Sequence, residues 1–232
     1  RGELLTAAAG LVLVSPNVAA QSAGASYLFD LVARQYLNQR AAIEPRLLDG
    51  LVRYLGLRAI SSSESARSVA ATQLAGLRSD YAAAISAKGA VDVPIAELSV
   101  LDPIYLAVAH AKVPLALRLL ESSLGSEAFA TAIERFVADE AGGRGVDALQ
   151  DAFETVSGRS LQAHFDKLFR DRGFVAIDAT CKKGVVVLSQ GKNALLPLSF
   201  DLRVGDAGSL ARIDFGDSAT VTLLDGDGET SD

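Results

Sequence analysis

Ser26-Tyr-Leu-Phe-Asp30 and Leu47-Leu-Asp-Gly-Leu-Val-Arg-Tyr-Leu55 are the stretches on which the reading of this chain turns. Positions 26 and 30 stand one helical turn apart, so on a helix they face the same way. Asp49 follows Asp30 after 18 intervening residues. At this spacing two side chains on one helix and a third from the next reach a single metal ion. Ser26, Asp30 and Asp49 occupy those three positions here, and Tyr27 stands where a general base is placed. The frame of a metal site is present without its usual ligands.

The bulk numbers set the bounds. With 232 residues, 50% of them apolar and 22% charged, the chain supports a large packed core. A net charge of -6 argues against nucleic acid as a partner, because phosphate recognition needs a basic stripe. No apolar run is long enough for a transmembrane helix. The chain is therefore expected to be soluble, with cytoplasm and periplasm both open. A single cysteine, Cys181, excludes an internal disulfide and on a strand reads as a small buried hydrophobe. Beginning at Arg1 without methionine, the chain reads as a fragment of a longer one. Leu4–Val14 admits two readings. One is the apolar stretch of a signal peptide, and the other is a buried strand, Leu11-Val-Leu-Val14, stopped by Ser15-Pro-Asn17.

Helical periodicity runs over 22–39 and resumes at Pro45, a favourable first-turn residue. Ser61-Ser-Ser-Glu64 has the form of a capping box opening a third helix to about Asp80. A loop follows over 87–94. The next helix starts at Asp102-Pro103 and should bend at Pro114 before ending at Gly125. A helix from Ser126 stops at Gly142-Gly143, and two short ones cover 146–156 and 160–170. After Gly173 the texture is that of strands: 175–181, 185–188, 196–200 and 219–224. The expected architecture is α+β and mostly α, with a helical domain over 1–172 and a β module over 173–232. No internal repeat is present.

This order resembles the zinc aminopeptidases of the aminopeptidase N and leukotriene hydrolase type, the gluzincins, over about Gly10 to Leu202. The family pattern of His-Glu-x-x-His, 18 residues and Glu maps without a gap onto Ser26, Tyr27, Asp30 and Asp49. Its Leu-Asn-Glu-Gly-Phe-Ala-x-Tyr-Leu is echoed by Leu47–Leu55. Its Tyr-x-Lys-Gly with a Leu-rich helix and Leu-Gly-x-x-x-Phe matches His110-Ala-Lys112, the helix to Leu120, and Leu124–Phe129. The closing segment matches Phe153–Leu161 and Phe165–Gly173, with Leu168 where Trp is usual. The resemblance implies a thermolysin-like helical catalytic-type domain followed by an incomplete β-sandwich. It favours the strand reading of Leu11–Val14.

In active relatives the two His and the Glu hold zinc, the inner Glu is the general base, a Tyr stabilises the oxyanion, and a Gly-x-Met-Glu-Asn strand captures the substrate amine. Here Ser26, Asp30 and Asp49 replace the ligands, Tyr27 the base and His110 the Tyr; Ala7 replaces the Glu of the amine-binding strand. Structural zinc affinities on the order of 10 kcal/mol rest largely on imidazole or thiolate ligands. Two carboxylates without imidazole suit Ca²⁺ or Mg²⁺ better than zinc. No metal and no catalytic residue is therefore expected, and zinc is the cofactor of relatives only.

Two readings attach to most of these positions. Asp30 and Asp49 are relics around a repurposed cation, or are paired with Arg34 and Arg53 at i,i+4 spacing. His110 is a relic acid or ligand, or a structural residue hydrogen-bonded in the old cleft. Tyr105 lines that cleft with Ala7, Lys112 plays a structural role, and His164 reads as surface. The function this implies is a pseudopeptidase domain that binds a peptide or protein partner or serves as a scaffold. The alternative is a surviving hydrolase with a non-standard or displaced metal, built on Asp30, Asp49, Tyr105 and His110. That alternative requires those side chains to converge within hydrogen-bond reach.

Overall fold

The computed structural model describes residues 5–8, 11–14, 24–40, 42–62, 64–138, 144–175, 177–182, 185–190, 199–204, 209–215 and 220–224. The chain opens with a two-stranded antiparallel ribbon, β1 (Leu5–Ala8) and β2 (Leu11–Val14), in which Ala7 pairs with Val12. Helices α1 (Gly24–Arg40) and α2 (Pro45–Ser61) then run antiparallel, and Pro45 starts α2 where its missing N–H costs nothing. Around α2, Leu47, Leu48, Leu51, Val52, Tyr54, Leu57 and Ile60 are all buried. A helix apolar over most of its circumference belongs in the interior of a fold. Accordingly, α2 touches α1, α3 (Arg67–Ser86) and the long helical stretch beyond residue 104.

The expected capping box does not form. Ser61 and Ser62 donate their hydroxyls back to the carbonyls of Arg58 and Ala59, at 2.8 and 2.6 Å. These bonds finish α2 rather than start α3, which follows a 3₁₀ turn at Glu64–Ala66. The expected bend at Pro114 also takes another form. One turn of α4 (Tyr105–Ala107) widens into a π segment, Val108–Lys112, in which Val113 N–H bonds the Val108 carbonyl. The regular helix α5 (Val113–Leu124) begins there, so a loosened turn accommodates the proline immediately before it. Gly125, at φ 88°, ends α5.

Beyond it lie α6 (Ser126–Ala138), α7 (Val146–Ser157), α8 (Gln162–Phe165) and a second π segment, Asp166–Arg170. A chain of rings ties these to α2: Tyr54 meets Phe129 at 5.5 Å, Phe129 meets Phe153 at 5.4 Å, and Phe165 stacks on Phe169 at 4.9 Å. The Phe-rich closing segment is therefore core. His164, expected at the surface, is buried there at 6% exposure, because α8 turns that face inward with Phe165.

The remainder is strand: an antiparallel sheet of β3 (Ile177–Lys182), β4 (Val185–Gln190) and β7 (Thr220–Leu224), and a ribbon of β5 (Ser199–Val204) and β6 (Ser209–Asp214). Strand β6 is absent from the sequence expectation. The observed class is α+β and mostly α. Leu188, Ile213 and Phe215 from this part join the buried core. Cys181 does not, and is exposed near the end of β3, an edge strand of its sheet.

Candidate functional site

Two residues of the sequence frame, Asp30 and Asp49, lie along the α1–α2 contact, each held by an arginine of the other helix. Asp49, on the first turns of α2, accepts a hydrogen bond from Arg34 of α1 at 2.6 Å on Oδ1. Its Oδ2 accepts from the Tyr105 hydroxyl at 2.7 Å. The Nε2 of His110, on the first π segment, lies 3.7 Å from the same oxygen, close enough for charge pairing and too long for a hydrogen bond. Asp30 accepts from Arg53 at 3.0 Å on Oδ2. Its Oδ1 is buried with no hydrogen-bond partner among the described residues.

The ion pairs are crossed. The i,i+4 pairing expected from sequence would join Asp30 to Arg34 and Asp49 to Arg53 within each helix. Instead Arg34 reaches Asp49 and Arg53 reaches Asp30, each across to the other helix. Antiparallel packing makes this geometry available, since residue numbers on the two helices then run in opposite directions along the contact. The quartet fastens α1 to α2.

The two carboxylates differ in their environments. Burial pulls both upward. At Asp49 the contacts from His110, Tyr105 and Arg34 outweigh burial and hold the carboxyl well below the usual carboxylate range. At Asp30 burial wins over Arg53, and the carboxyl is raised. The Tyr105 phenol is pushed up by burial and by its bond to ionised Asp49, so it stays a proton donor.

Gly50 makes this assembly fit. A Cβ there would collide with the Val113 side chain and come within 2.7 Å of the Ala109 carbonyl oxygen. The π segment bearing His110 therefore lies directly on α2, next to Asp49. The glycine that follows Asp49 is thus a packing requirement of the site.

Other candidate positions fall differently. Ala7 lies in β1, and Ser26 and Tyr27 in the first turn of α1, but their side chains lie outside the described residues. Lys112 is wholly buried and binds Asp92 at 3.1 Å and the Asp171 carbonyl at 3.2 Å, with the Tyr81 ring 5.8 Å away. The Tyr81 hydroxyl and Gly173 N–H also donate to Asp92. Sequence reasoning gave Lys112 a structural role but missed Asp92, which sits in a loop with no motif. Among the described residues, no three His, Cys, Asp or Glu side chains gather as a metal-holding group.

No protein-family model and no curated protein sequence matches the chain. Among solved structures, that of Legionella pneumophila aminopeptidase A, crystallised in complex with aspartic acid, superposes over 91% of this chain with a TM-score of 0.57 and 12% identity. The fold is aminopeptidase-like. The chain spans 26% of the length of that aminopeptidase, about a quarter. At this identity the likeness concerns the fold alone.

Proposed function

We propose that the chain is a degenerate domain of the aminopeptidase N and leukotriene hydrolase type, a pseudopeptidase that serves as a binding or structural module of a larger protein. In this reading the ion-pair quartet stands where zinc stands in active relatives, and the strands from Ile177 onward form an incomplete β-sandwich module. One observation carries the reading: both oxygens of Asp49, at the distant-ligand position, are engaged by Arg34 and Tyr105. A guanidinium on each carboxylate puts positive charge where a cation would be held, and the donor set offers zinc neither thiolate nor a pair of imidazoles. Asp30, whose carboxyl burial raises, is left with one buried oxygen that no described residue bonds. This donor set does not fit zinc.

A second reading, a surviving hydrolase with a displaced or non-standard metal, draws on one observation. Asp49, Tyr105 and His110 do converge, and the His110 side chain is 47% exposed, so a substrate can reach it. Hydrolysis of aminoacyl-amide substrates separates the two. The pseudopeptidase reading expects the wild type and Asp49→Asn to be equally inactive. Turnover by the wild type that is lost in both Asp49→Asn and His110→Ala would establish the second reading instead.

A further inference from the structure

A cleft of about 530 Å³ opens away from the α1–α2 crossing, between the C-terminal half of α2, the start of α3 and the α5–α6 corner. Its polar lining includes Tyr54, Arg58, Arg67, Arg118, Glu121 and Ser126, with Ser61 and Ser62 at the end of α2. Three guanidinium groups thus face one carboxylate, in a chain whose net charge is -6.

That carboxylate is fully committed. Glu121 accepts from the Tyr54 hydroxyl, from Arg58 Nε at 3.0 Å and from Ser126 Oγ at 2.6 Å. Arg58 is committed with it, since its other nitrogen donates to the Ser126 carbonyl at 3.1 Å and its guanidinium lies over the Phe129 ring. Two cations lack a carboxylate. Arg118 is exposed and donates to the Tyr54 hydroxyl, and Arg67 is exposed on the α3 wall of the cleft. Neither has a carboxylate within ion-pair distance among the described residues.

Arg67 is moreover the first residue of α3. That helix has no acidic residue in its first turn and no side-chain cap at Ala66. Glu64, in the preceding 3₁₀ turn, is exposed and does not line the cleft. A cation at the positive end of a helix is unfavourable unless an anion sits with it. The rest of the wall is aliphatic, including Leu55, Leu57, Ala70 and Leu74. The volume lies in the range of small-molecule sites, and guanidiniums on facing walls suit an oxyanion bound between them.

We infer that this cleft binds a small organic anion, a phosphate- or carboxylate-bearing molecule whose apolar body lies on the aliphatic wall between Arg67 and Arg118. The headgroup would take both guanidiniums, and the buried Glu121–Arg58 pair would form the floor.

Two-dimensional NMR of the whole chain, titrated with hexyl phosphate, hexanoate, inorganic phosphate and hexylamine, tests this. Saturable shifts around Arg67 and Arg118 are expected with hexyl phosphate or hexanoate, and the stronger of the two identifies the headgroup. Inorganic phosphate should bind more weakly, since it lacks the apolar body. The double variant Arg67→Gln/Arg118→Gln should weaken binding by at least about tenfold, while Arg78→Gln, also exposed on α3, should leave it unchanged. Both arginines are exposed, and a thermal melt verifies that the variants fold. Absence of saturation at millimolar anion, equal affinity of the double variant, or equally strong binding of hexylamine would each overturn the assignment.

Discussion

Two carboxylates in this molecule are gripped by nearly the same set of donors, and only one falls on the metal-site spacing read from the sequence. Glu121 is held by Tyr54, Arg58 and Ser126, and Asp49 by Tyr105 and Arg34 with His110 close by. Both are kept below the usual carboxylate range despite burial. The Glu121 side chain is 5% exposed and its donors join α2, α5 and α6 into one core. The Asp49 side chain is 17% exposed and opens to solvent through a half-exposed imidazole. A carboxylate clasped by arginine and tyrosine is therefore not in itself a sign of chemistry. What distinguishes Asp49 is its titratable, accessible neighbour.

The comparison can be broken most forcefully at Glu121. Its replacement by alanine leaves the buried Tyr54 hydroxyl without its acceptor and the partly exposed Arg58 without its counter-ion, and should cost about 2–4 kcal/mol in urea unfolding. A cost of less than about 1 kcal/mol would mean that the two clusters differ less in depth than the geometry indicates. Next comes Gly50→Ala, which forces α2 off the π segment and should cost about 1–3 kcal/mol. Gly76, in the interior of α3 with nothing within 4 Å of an added Cβ, is the matched control. Gly76→Ala should stabilise by about 0.5–1 kcal/mol, so the two substitutions move the melting temperature in opposite directions.

The crossed ion pairs are sharpened by double-mutant cycles. The Arg34→Ala/Asp49→Ala cycle should show a coupling of about 1 kcal/mol, and the i,i+4 cycle of Arg34→Ala with Asp30→Ala close to none. Reversal of that order would restore the intrahelical pairing. The smallest effect concerns acid. Asp49 has a depressed carboxyl, so its stabilisation is present above the unfolded value near pH 4 and is lost as pH falls through the lower folded value. Asp30 is raised, so it detracts above its folded value and that cost is relieved on acidification. Melting curves below about pH 5 should therefore flatten for Asp49→Asn and steepen for Asp30→Asn.

Much of the helical order was legible because its signals are local. Pro45 marks the start of α2, Gly125 the end of α5, and the apolar periods the buried faces. That positions 30 and 49 fall on two adjacent helices followed from their spacing. What spacing could not convey was set by the crossing of elements. Arg34 and Arg53 choose partners across the α1–α2 contact because antiparallel packing brings those ends together. Ser61 and Ser62 satisfy carbonyls behind them instead of amides ahead. The inward face of α8 buries His164, and the edge position of β3 leaves Cys181 exposed. The Lys112–Asp92 pair joins a helix to a loop with no pattern to announce it.

The central proposal is that crossed ion pairs, and not a metal, occupy the spacing that holds zinc in the aminopeptidases this chain resembles. Plasma mass spectrometry tests it most directly, on protein purified without a metal-affinity tag and dialysed against trace zinc. The account predicts zinc near background in the wild type. Zinc close to one equivalent per chain would contradict it, because Asp30 and Asp49 would then have to release Arg53 and Arg34 to serve as ligands.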